Sequence, residues 1–301
     1  MSVRLNTKFE PRHGQLTPIS ANVARVTANN PGVFTFHGTN TYIVGTRTLG
    51  IIDPGPAQPE HLSALVKAIG GRPVSHIFVT HTHRDHSDLV PLLVEATGAK
   101  TVAEGRHRPA RALYQGEINP LDASSDMAFI PDVQIKDGER IEGDNWIVEA
   151  VVTPGHAANH CAYALTGTDM LFSGDHVMAW ATTIVAPPDG AMSAYMHSLD
   201  KLLQRDDGLY LPGHGGAVSN PRTFVRALKA HRKMRERAIL QRMKAGDWTI
   251  AQIVASIYRD TDPRLHGAAA LSVLAHLEDL CARGRVASDG RVALGSAYHL
   301  A

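Results

Sequence analysis

Three histidines and an aspartate fall within six consecutive positions of the chain, at His81, His83, Asp85 and His86. They directly follow the apolar run HIFVT, which predicts a buried strand. A loop leaving a strand end can direct the first two imidazoles to one side and the remaining two ligand types to another, as two neighbouring metal sites require. Imidazole and carboxylate together suit zinc, with iron and manganese as alternatives. The spacing therefore indicates a metal centre rather than a solvated histidine-rich turn.

Three later segments repeat the order of apolar run, glycine and polar ligand type. They are IVEAVVTPGH, which ends at His156, MLFSGD, which ends at Asp175, and LYLPGH, which ends at His214. The glycine lets the backbone turn tightly as each strand leaves its sheet. A lone histidine after a strand is more often structural than a ligand. Four strand-end sites of the same kind in one chain instead favour a common metal site.

The elements that must position these side chains are short strands and helices in mixed order. LGIID predicts a strand that delivers Asp53 into a loop, and VQIKDGERI predicts a hairpin with a DG turn. Apolar spacing predicts helices at residues 59–70, 87–98, 193–206 and 221–245, the second with Ser87 as its N-cap. Strand runs, helices and further strand runs indicate mixed α/β layers rather than an all-β fold.

The composition changes after Gly215-Gly216. Three amphipathic helices and a hairpin around Asp289-Gly290 follow, an order typical of a winged-helix module. We therefore predict a catalytic domain at 1–220 and a helical, winged-helix-like domain at 221–301. The second segment carries 14 Lys/Arg and 7 Asp/Glu, a net of +7, which leaves −6 for the first because the whole chain carries +1.

Bulk composition excludes several classes of protein. The two cysteines, Cys161 and Cys281, are far apart and form no CxxC, so neither a disulfide framework nor a thiolate zinc site is expected. This fits a reducing cytoplasm, which is the predicted location. The first residues lack the apolar stretch of a signal peptide, and no apolar run is long enough to span a bilayer. We therefore expect no membrane partner.

The run HTHRDH, followed by TPGH, SGDH and LPGH and preceded by IIDPG, resembles the metallo-β-lactamase superfamily over about residues 22–216. The resemblance implies an α/β fold, an αββα sandwich whose site lies where the two sheets open at one edge. It implies two divalent metal ions, Zn²⁺ first and Fe or Mn as alternatives. The implied ligands are His81, His83 and His156 for one ion, Asp85, His86 and His214 for the other, and Asp175 as the bridge.

Further residues receive roles around this centre. Asp53 resembles the family aspartate that orients a metal-binding histidine, the alternative being a turn former in DPG. Asp85 is also the predicted catalytic residue, which orients the nucleophile or shuttles its proton. His160 is expected near the substrate or behind the ligands, or else as a structural histidine. His176 is expected to face the cleft, with packing outside it as the alternative. Tyr195 is a candidate for contacting a substrate carboxylate or phosphate, with helix capping as the alternative.

The resemblance also narrows the reaction. True β-lactamases of the superfamily usually have a cysteine where this chain has Asp175, so penicillin cleavage is not expected. The motifs look closer to the glyoxalase II, lactonase and RNase branches. Together with the C-terminal module they resemble a lactamase-like group that includes an endoribonuclease and polyketide thioesterases. We predict a dinuclear hydrolase that uses a metal-bound hydroxide on a small-molecule thioester or ester.

Alternatives remain for the substrate. The apolar segment 177–195 is expected to roof the site, which favours an acyl substrate. A single-strand endoribonuclease with RNA as partner, held by the basic C-terminal module, is the alternative, and a lactonase is a second one. A DNA-binding regulator with a sensor domain is a third reading, from a different class. Homo-oligomerisation stays open at this point.

Overall fold

Two β-sheets packed face to face form the centre of the computed structural model, which describes residues 3–119 and 121–301. The seven-stranded sheet runs in chain order: β1 Thr17–Ser20, β2 Val23–Thr27, β3 Asn40–Val44, β4 Leu49–Ile52, β5 Val74–Phe78, β6 Lys100–Ala103 and β7 Val133–Gln134. The five-stranded sheet has the order β12 Leu209–Pro212, β11 Met170–Gly174, β10 Cys161–Leu165, β9 Ile147–Val152 and β8 Arg140–Glu142. β4 to β7 are mutually parallel, as are β11 and β12, and the other strand pairs in these two sheets are antiparallel.

An aromatic core fills the space between the two sheets. Phe78 of the first sheet lies 5.2 Å, ring to ring, from Tyr163 of the second and 5.8 Å from Trp146. Tyr42 and Phe172 meet across the same interface at 5.1 Å. Because side chains alternate along a strand, the residues beside these point to the outer faces of the sheets.

Helices cover both outer faces. The helices of the chain are α1 Pro59–Ile69, α2 Arg84–Ser87, α3 Val90–Thr97, α4 Met192–Leu203, α5 Pro221–Lys244, α6 Ile250–Ile257 and α7 His266–Ala282, of which α6 belongs to the C-terminal part. Leu65 of α1 and Leu93 of α3 pack against the first sheet. Leu199 of α4 and Val225 of α5 pack against the second. This layer order confirms the predicted αββα sandwich. In the described part of the chain, every helix is too short or too polar to cross a bilayer.

The C-terminal elements have a hydrophobic core of their own. Helices α6 and α7 and the two-stranded sheet of β13 Val286–Ser288 and β14 Tyr298–Leu300 surround it. Helix α5 contributes to both cores: Leu228 packs on the second sheet, and Met243 packs with Leu277. The helix therefore ties the two parts together, and the predicted boundary at residue 220 stays a prediction.

Three local predictions differ from the structure. Ser87 does not cap a helix over 87–98: it ends α2, where its hydroxyl donates to the carbonyl of His83, and α3 starts later. VQIKDGERI is not a hairpin, because β7 pairs with β6 in the first sheet and β8 pairs with β9 in the second. Its DG turn therefore connects the two sheets. The C-terminal hairpin exists, but its second strand is β14 rather than the run directly after Gly290.

Trp146 allows a test of the core between the sheets. The side chain is 4% exposed, and its indole nitrogen donates to the carbonyl of Thr48 at 2.9 Å. Trp146→Ala should leave a cavity and lower the free energy of unfolding by about 3–5 kcal/mol, measured by urea denaturation. Trp248→Ala is the matched control, because this indole is 54% exposed, and should cost less than about 1 kcal/mol. Equal costs would contradict the assigned core.

Candidate metal centre

The polar residues that follow the strands converge where the two sheets are joined by backbone hydrogen bonds. The N–H of Asn40 in the first sheet donates to the carbonyl of Gly213 after β12 at 2.7 Å. The N–H of Cys161 in the second sheet donates to Thr80 after β5, also at 2.7 Å. These links place the strand-end loops of both sheets side by side. The side chains brought together are the seven predicted ones, His81, His83, Asp85, His86, His156, Asp175 and His214, whose ligand atoms form three overlapping groups.

Three imidazoles form the first group. Nδ1 of His83 lies 2.9 Å from Nε2 of His81 and 3.1 Å from Nε2 of His156. Burial and the neighbouring imidazoles lower the pKa of His81 and of His83, the latter to about 3, and burial also lowers the pKa of His156. The three rings are therefore neutral at physiological pH, and neutral imidazole is the form that binds a metal.

Two imidazoles and a carboxylate form the second group. Oδ2 of Asp85 lies 3.2 Å from Nε2 of His214 and 3.4 Å from Nε2 of His86. Burial opposes charge on these rings, but the carboxylates of Asp85 and Asp175 outweigh it and raise the pKa of His214 to about 9. They also raise the pKa of His86. The second group therefore favours positive charge, which a metal cation could supply in place of protons.

Asp175 lies between the two groups. Its Oδ2 is 3.3 Å from Nε2 of His214 and 3.8 Å from Nε2 of His156, and its Oδ1 is 3.6 Å from Nε2 of His86. Both this Oδ1 and the Nε2 of His86 are buried without a hydrogen-bond partner among the residues that the structure describes. Buried polar atoms of this kind call for a further ligand. The carboxylate lies near ligand atoms of both groups, and its role as a bridge between two ions stays a prediction.

Hydrogen bonds on the far side of several rings fix their orientation. Asp53 accepts from Nδ1 of His86 at 2.9 Å and from the N–H and hydroxyl of Thr80, both at 2.8 Å. Nδ1 of His156 donates to the carbonyl of Ile184 at 2.7 Å. Such outer bonds select the tautomer that leaves Nε2 free for a metal. Asp53 adopts a left-handed backbone with φ 52°, which aspartate tolerates better than most residues.

Two residues that support the site, Thr39 and Asn30, had no signal in the sequence. The hydroxyl of Thr39 donates to Oδ2 of Asp85 at 3.0 Å, and the side chain of Asn30 in turn bonds both the backbone N–H and the hydroxyl of Thr39. The two residues lie more than forty positions before Asp85. Only the folded chain brings them to it, so no local pattern could have singled them out.

His160 lies behind Asp175 and out of contact with the cleft. The ring is fully buried; its Nε2 accepts from the backbone N–H of Asp175 at 3.2 Å, and its Nδ1 lies 2.9 Å from the hydroxyl of Thr153. Burial holds its pKa well below the usual value. A substrate contact is thus excluded in this arrangement, and the alternative placement behind the ligands agrees with the structure.

The expectations for His176 and Tyr195 were wrong. Both side chains are fully buried, and their rings pack at 4.6 Å. The hydroxyl of Tyr195 donates to the carbonyl of His176 at 3.2 Å, so it neither caps the helix nor reaches a substrate. The reason is the rotation of α4 about its own axis, which places Tyr195 against the TPGH loop. A Cβ on Gly155 of that loop would lie 2.4 Å from the Cα of Tyr195.

The expected roof of residues 177–195 is mostly part of the body. Val177 and Val185 are buried in the core on the second sheet. Trp180 is one of the residues that differ: it is partly exposed and stacks on Phe36 with ring centres 4.7 Å apart. Two residues before Phe36, Phe34 is 52% exposed on the loop that leads to Thr39. The aromatic pair lies beside Gly215, directly after His214, because a Cβ on this glycine would lie 2.8 Å from the Trp180 ring. Apolar surface therefore borders this side of the ligand groups.

Comparison with known proteins agrees with this geometry. Residues 34–214 match the metallo-beta-lactamase superfamily, which is more than half of the chain. The chain belongs to the metallo-β-lactamase superfamily. Residues 249–295 match the beta-lactamase associated winged helix domain, so the C-terminal module also has the predicted fold.

Individual relatives match across both parts of the chain. It is 30% identical over 270 residues to the lactamase-like protein notP of an Aspergillus species, covering 83% of this chain and 77% of that one. It is 28% identical over 256 residues to the atrochrysone carboxyl ACP thioesterase nsrC of Aspergillus novofumigatus, covering 80% and 72%. A β-lactamase domain protein from Burkholderia ambifaria, at 21% identity, superposes with a TM-score of 0.81 over 97% of this chain and 95% of the other. The structural likeness shows the shared fold.

Asp53→Asn tests the orienting role of this carboxylate. An amide is a weaker acceptor for the His86 ring, so zinc affinity of the metal-free protein should fall about 10- to 100-fold in a chelator competition titration. Asp88→Asn is the control, because Asp88 bonds Arg84 at the surface. Equal affinities for both variants would reduce Asp53 to a turn former.

Proposed function

We propose that this protein is a dinuclear metal-dependent hydrolase acting on a small thioester or ester. The observation that carries the proposal is the position of Asp175 between a neutral three-imidazole group and a charged group of two imidazoles and Asp85. Two adjoining ligand sets that share a carboxylate suit two cations better than one.

The donor atoms fit divalent metal ions. In the first group, nitrogen separations of 2.9 and 3.1 Å are near the roughly 3.3 Å expected for tetrahedral zinc with bonds of about 2.0 Å. His81, His83 and His156 would hold one ion and Asp85, His86 and His214 the other, with Asp175 contacting both. When bound, the ions supply Lewis acidity that lowers the pKa of water and polarises the electrophilic oxygen.

Asp85 is the carboxylate best placed to act on the nucleophilic water. Its side chain is 27% exposed, whereas that of Asp175 is 9% exposed. The Thr39 hydroxyl donates to Oδ2, the oxygen that also faces the His214 ring, so the other oxygen can accept a hydrogen bond from water and orient it. The neighbouring imidazoles keep the pKa of Asp85 below its usual value despite burial, so it stays a carboxylate.

The surroundings of the centre support an acyl substrate. Phe34, Phe36 and Trp180 present apolar surface next to the loops that carry Thr39 and His214. A carbonyl compound with an apolar acyl group would bury this surface, whereas a phosphodiester would leave it exposed to solvent. The thioesterase name of one relative points to the same chemistry. Because Asp175 stands where true β-lactamases usually have cysteine, penicillin cleavage is not part of the proposal.

A second candidate, single-strand RNA cleavage, draws on a basic stripe of α5. The stripe comprises the exposed residues Arg222, Arg226, Lys233, Arg237 and Lys244. At 100° per residue they lie within an arc of about 60° and extend over about 33 Å. Such a row of cations suits a phosphate backbone. The buried Arg232, which contacts the loop after Asp175, lies about 110° around α5 from the middle of the stripe. The stripe is therefore on another side of the helix from the contact with this loop, and RNA ranks second.

Loss of one ligand tests the proposed hydrolysis. His83→Ala should retain about one zinc ion fewer and lose at least about 100-fold in thioester turnover, because the first ligand group is broken. Metal content by mass spectrometry and turnover of acyl-CoA, lactoylglutathione, lactones and single-stranded RNA measure this. His197→Ala on the exposed face of α4 is the control and should match the wild type. Wild-type protein that hydrolyses RNA but none of the acyl compounds would refute the thioester proposal.

The basic stripe has its own test. Lys233→Glu with Arg237→Glu should weaken any RNA binding and lower the slope of its salt dependence by about two phosphate contacts, since each cation that contacts a phosphate releases counterions. Acyl turnover should not change. Lys67→Glu, on the exposed face of α1, serves as the charge control. If the double variant cleaves RNA as the wild type does, the stripe is only a solvated helix face.

A further inference from the structure

We propose that Arg232 of helix α5 is a positioning residue for the metal centre, a proposal that rests on the metal site inferred above. Arg232 holds the loop of residues 175–184, which begins with Asp175 and whose backbone bonds His156. Because the superfamily match ends at residue 214, this contact comes from a helix outside the matched catalytic region.

Arg232 is buried in an unusual way for an arginine. It is 4% exposed, and its guanidinium donates to a carbonyl oxygen, that of Thr183, rather than to a carboxylate. The guanidinium carbon also lies 5.2 Å from the centre of the Tyr195 ring. Its Nε has no hydrogen-bond partner within the described ranges. Taking a charge out of water on these terms is costly, which argues for a function that an apolar side chain could not fulfil.

Thr183 connects Arg232 to the backbone of Asp175. Its side chain is 1% exposed, and its hydroxyl lies 2.8 Å from the carbonyl of Asp175 and 3.0 Å from that of His176, donating to this pair. The backbone of the residue that bridges the two ligand groups is thus fixed by a threonine whose own carbonyl is held by Arg232.

Ile184, the next residue along the loop, fixes a ligand of the first group. The carbonyl of Ile184 accepts from Nδ1 of His156 at 2.7 Å, which sets the orientation of that ring. The two consecutive carbonyls therefore contact Arg232 and His156. A shift of the Thr183 peptide would move the acceptor of His156 and the anchor of Asp175 together, so one guanidinium controls ligands of both groups.

The test compares zinc affinities of the metal-free protein rather than activity. Arg232→Met keeps the length of the side chain and removes its donors, and Thr183→Val removes only the hydroxyl. Arg235→Met is the matched control: Arg235 lies on the same helix but stacks on Tyr258 at 4.6 Å. Chelator competition gives the affinity, the absorption spectrum of the cobalt-substituted protein reports ligand geometry, and thermal melting of the metal-free protein reports stability.

We expect Arg232→Met and Thr183→Val each to weaken zinc binding by about 10- to 100-fold and to alter the cobalt spectrum. Arg232→Lys should recover much of the affinity, because its ammonium can still donate to the Thr183 carbonyl. Arg235→Met should bind zinc as the wild type does. The variant that combines Arg232→Met with Thr183→Val should lose less free energy of zinc binding than the sum of the losses in the two single variants, since both changes act on one loop.

Several results would overturn the proposal. If the variants unfold at a lower temperature but keep the zinc affinity and cobalt spectrum of the wild type, Arg232 is only a structural part of the α4–α5 contact. If Arg232→Met does not fold, unchanged affinity in Thr183→Val decides against it. A wild-type protein that binds no metal removes this proposal together with the metal site. Wild-type protein that binds zinc but hydrolyses no acyl compound rejects only the proposed substrate.

Discussion

The structure depends on holding five imidazoles and two carboxylates together with little access to water. Polar groups buried without partners destabilise a protein, and these seven side chains leave at least two buried atoms, on His86 and Asp175, unsatisfied within the described residues. Their arrangement is stable only because bonds from the outside fix the rings and because the carboxylates favour a cation. Asp53, Thr39 and the carbonyl of Ile184 supply those outer bonds. The loops at the ends of both sheets bring these supports to one place.

The same crowding explains the glycines that precede the ligands. The sequence alone suggested that each glycine permits a tight turn as the strand ends. At Gly213 the reason is close approach instead: a Cβ there would lie 2.6 Å from Oδ1 of Asp175 and 2.6 Å from Cε1 of His86. At Gly174 a Cβ would lie 2.6 Å from Nε2 of His160, and the backbone also has φ 48°. The backbone must therefore pass directly beside the ligands.

These particulars show which features a sequence can predict. The spacing of His81 to His86 and the repeated strand–glycine–ligand pattern were local signals, and the structure brings all of these residues together. The phase of α4 relative to the second sheet is set by long-range packing, so the burial of Tyr195 could not be read locally. The bond from Thr39 to Asp85 joins residues 46 positions apart. The DG turn was predicted as a hairpin from its local sequence. The prediction failed because β7 and β8 pair with β6 and β9, which lie elsewhere in the chain.

Helix α5 shows that the limits of sequence families and of physical units differ in this protein. The superfamily match ends at residue 214 and the winged-helix match starts at residue 249, so the whole of α5 lies outside both matches. Yet its first half completes the core on the second sheet through Val225 and Leu228, and its second half completes the C-terminal core. Cutting the chain at the predicted boundary would expose apolar surface on both parts and remove the buried guanidinium beside Thr183. The winged-helix module is therefore not a detachable addition: the helix that carries it is one of the walls against which the catalytic loops are packed.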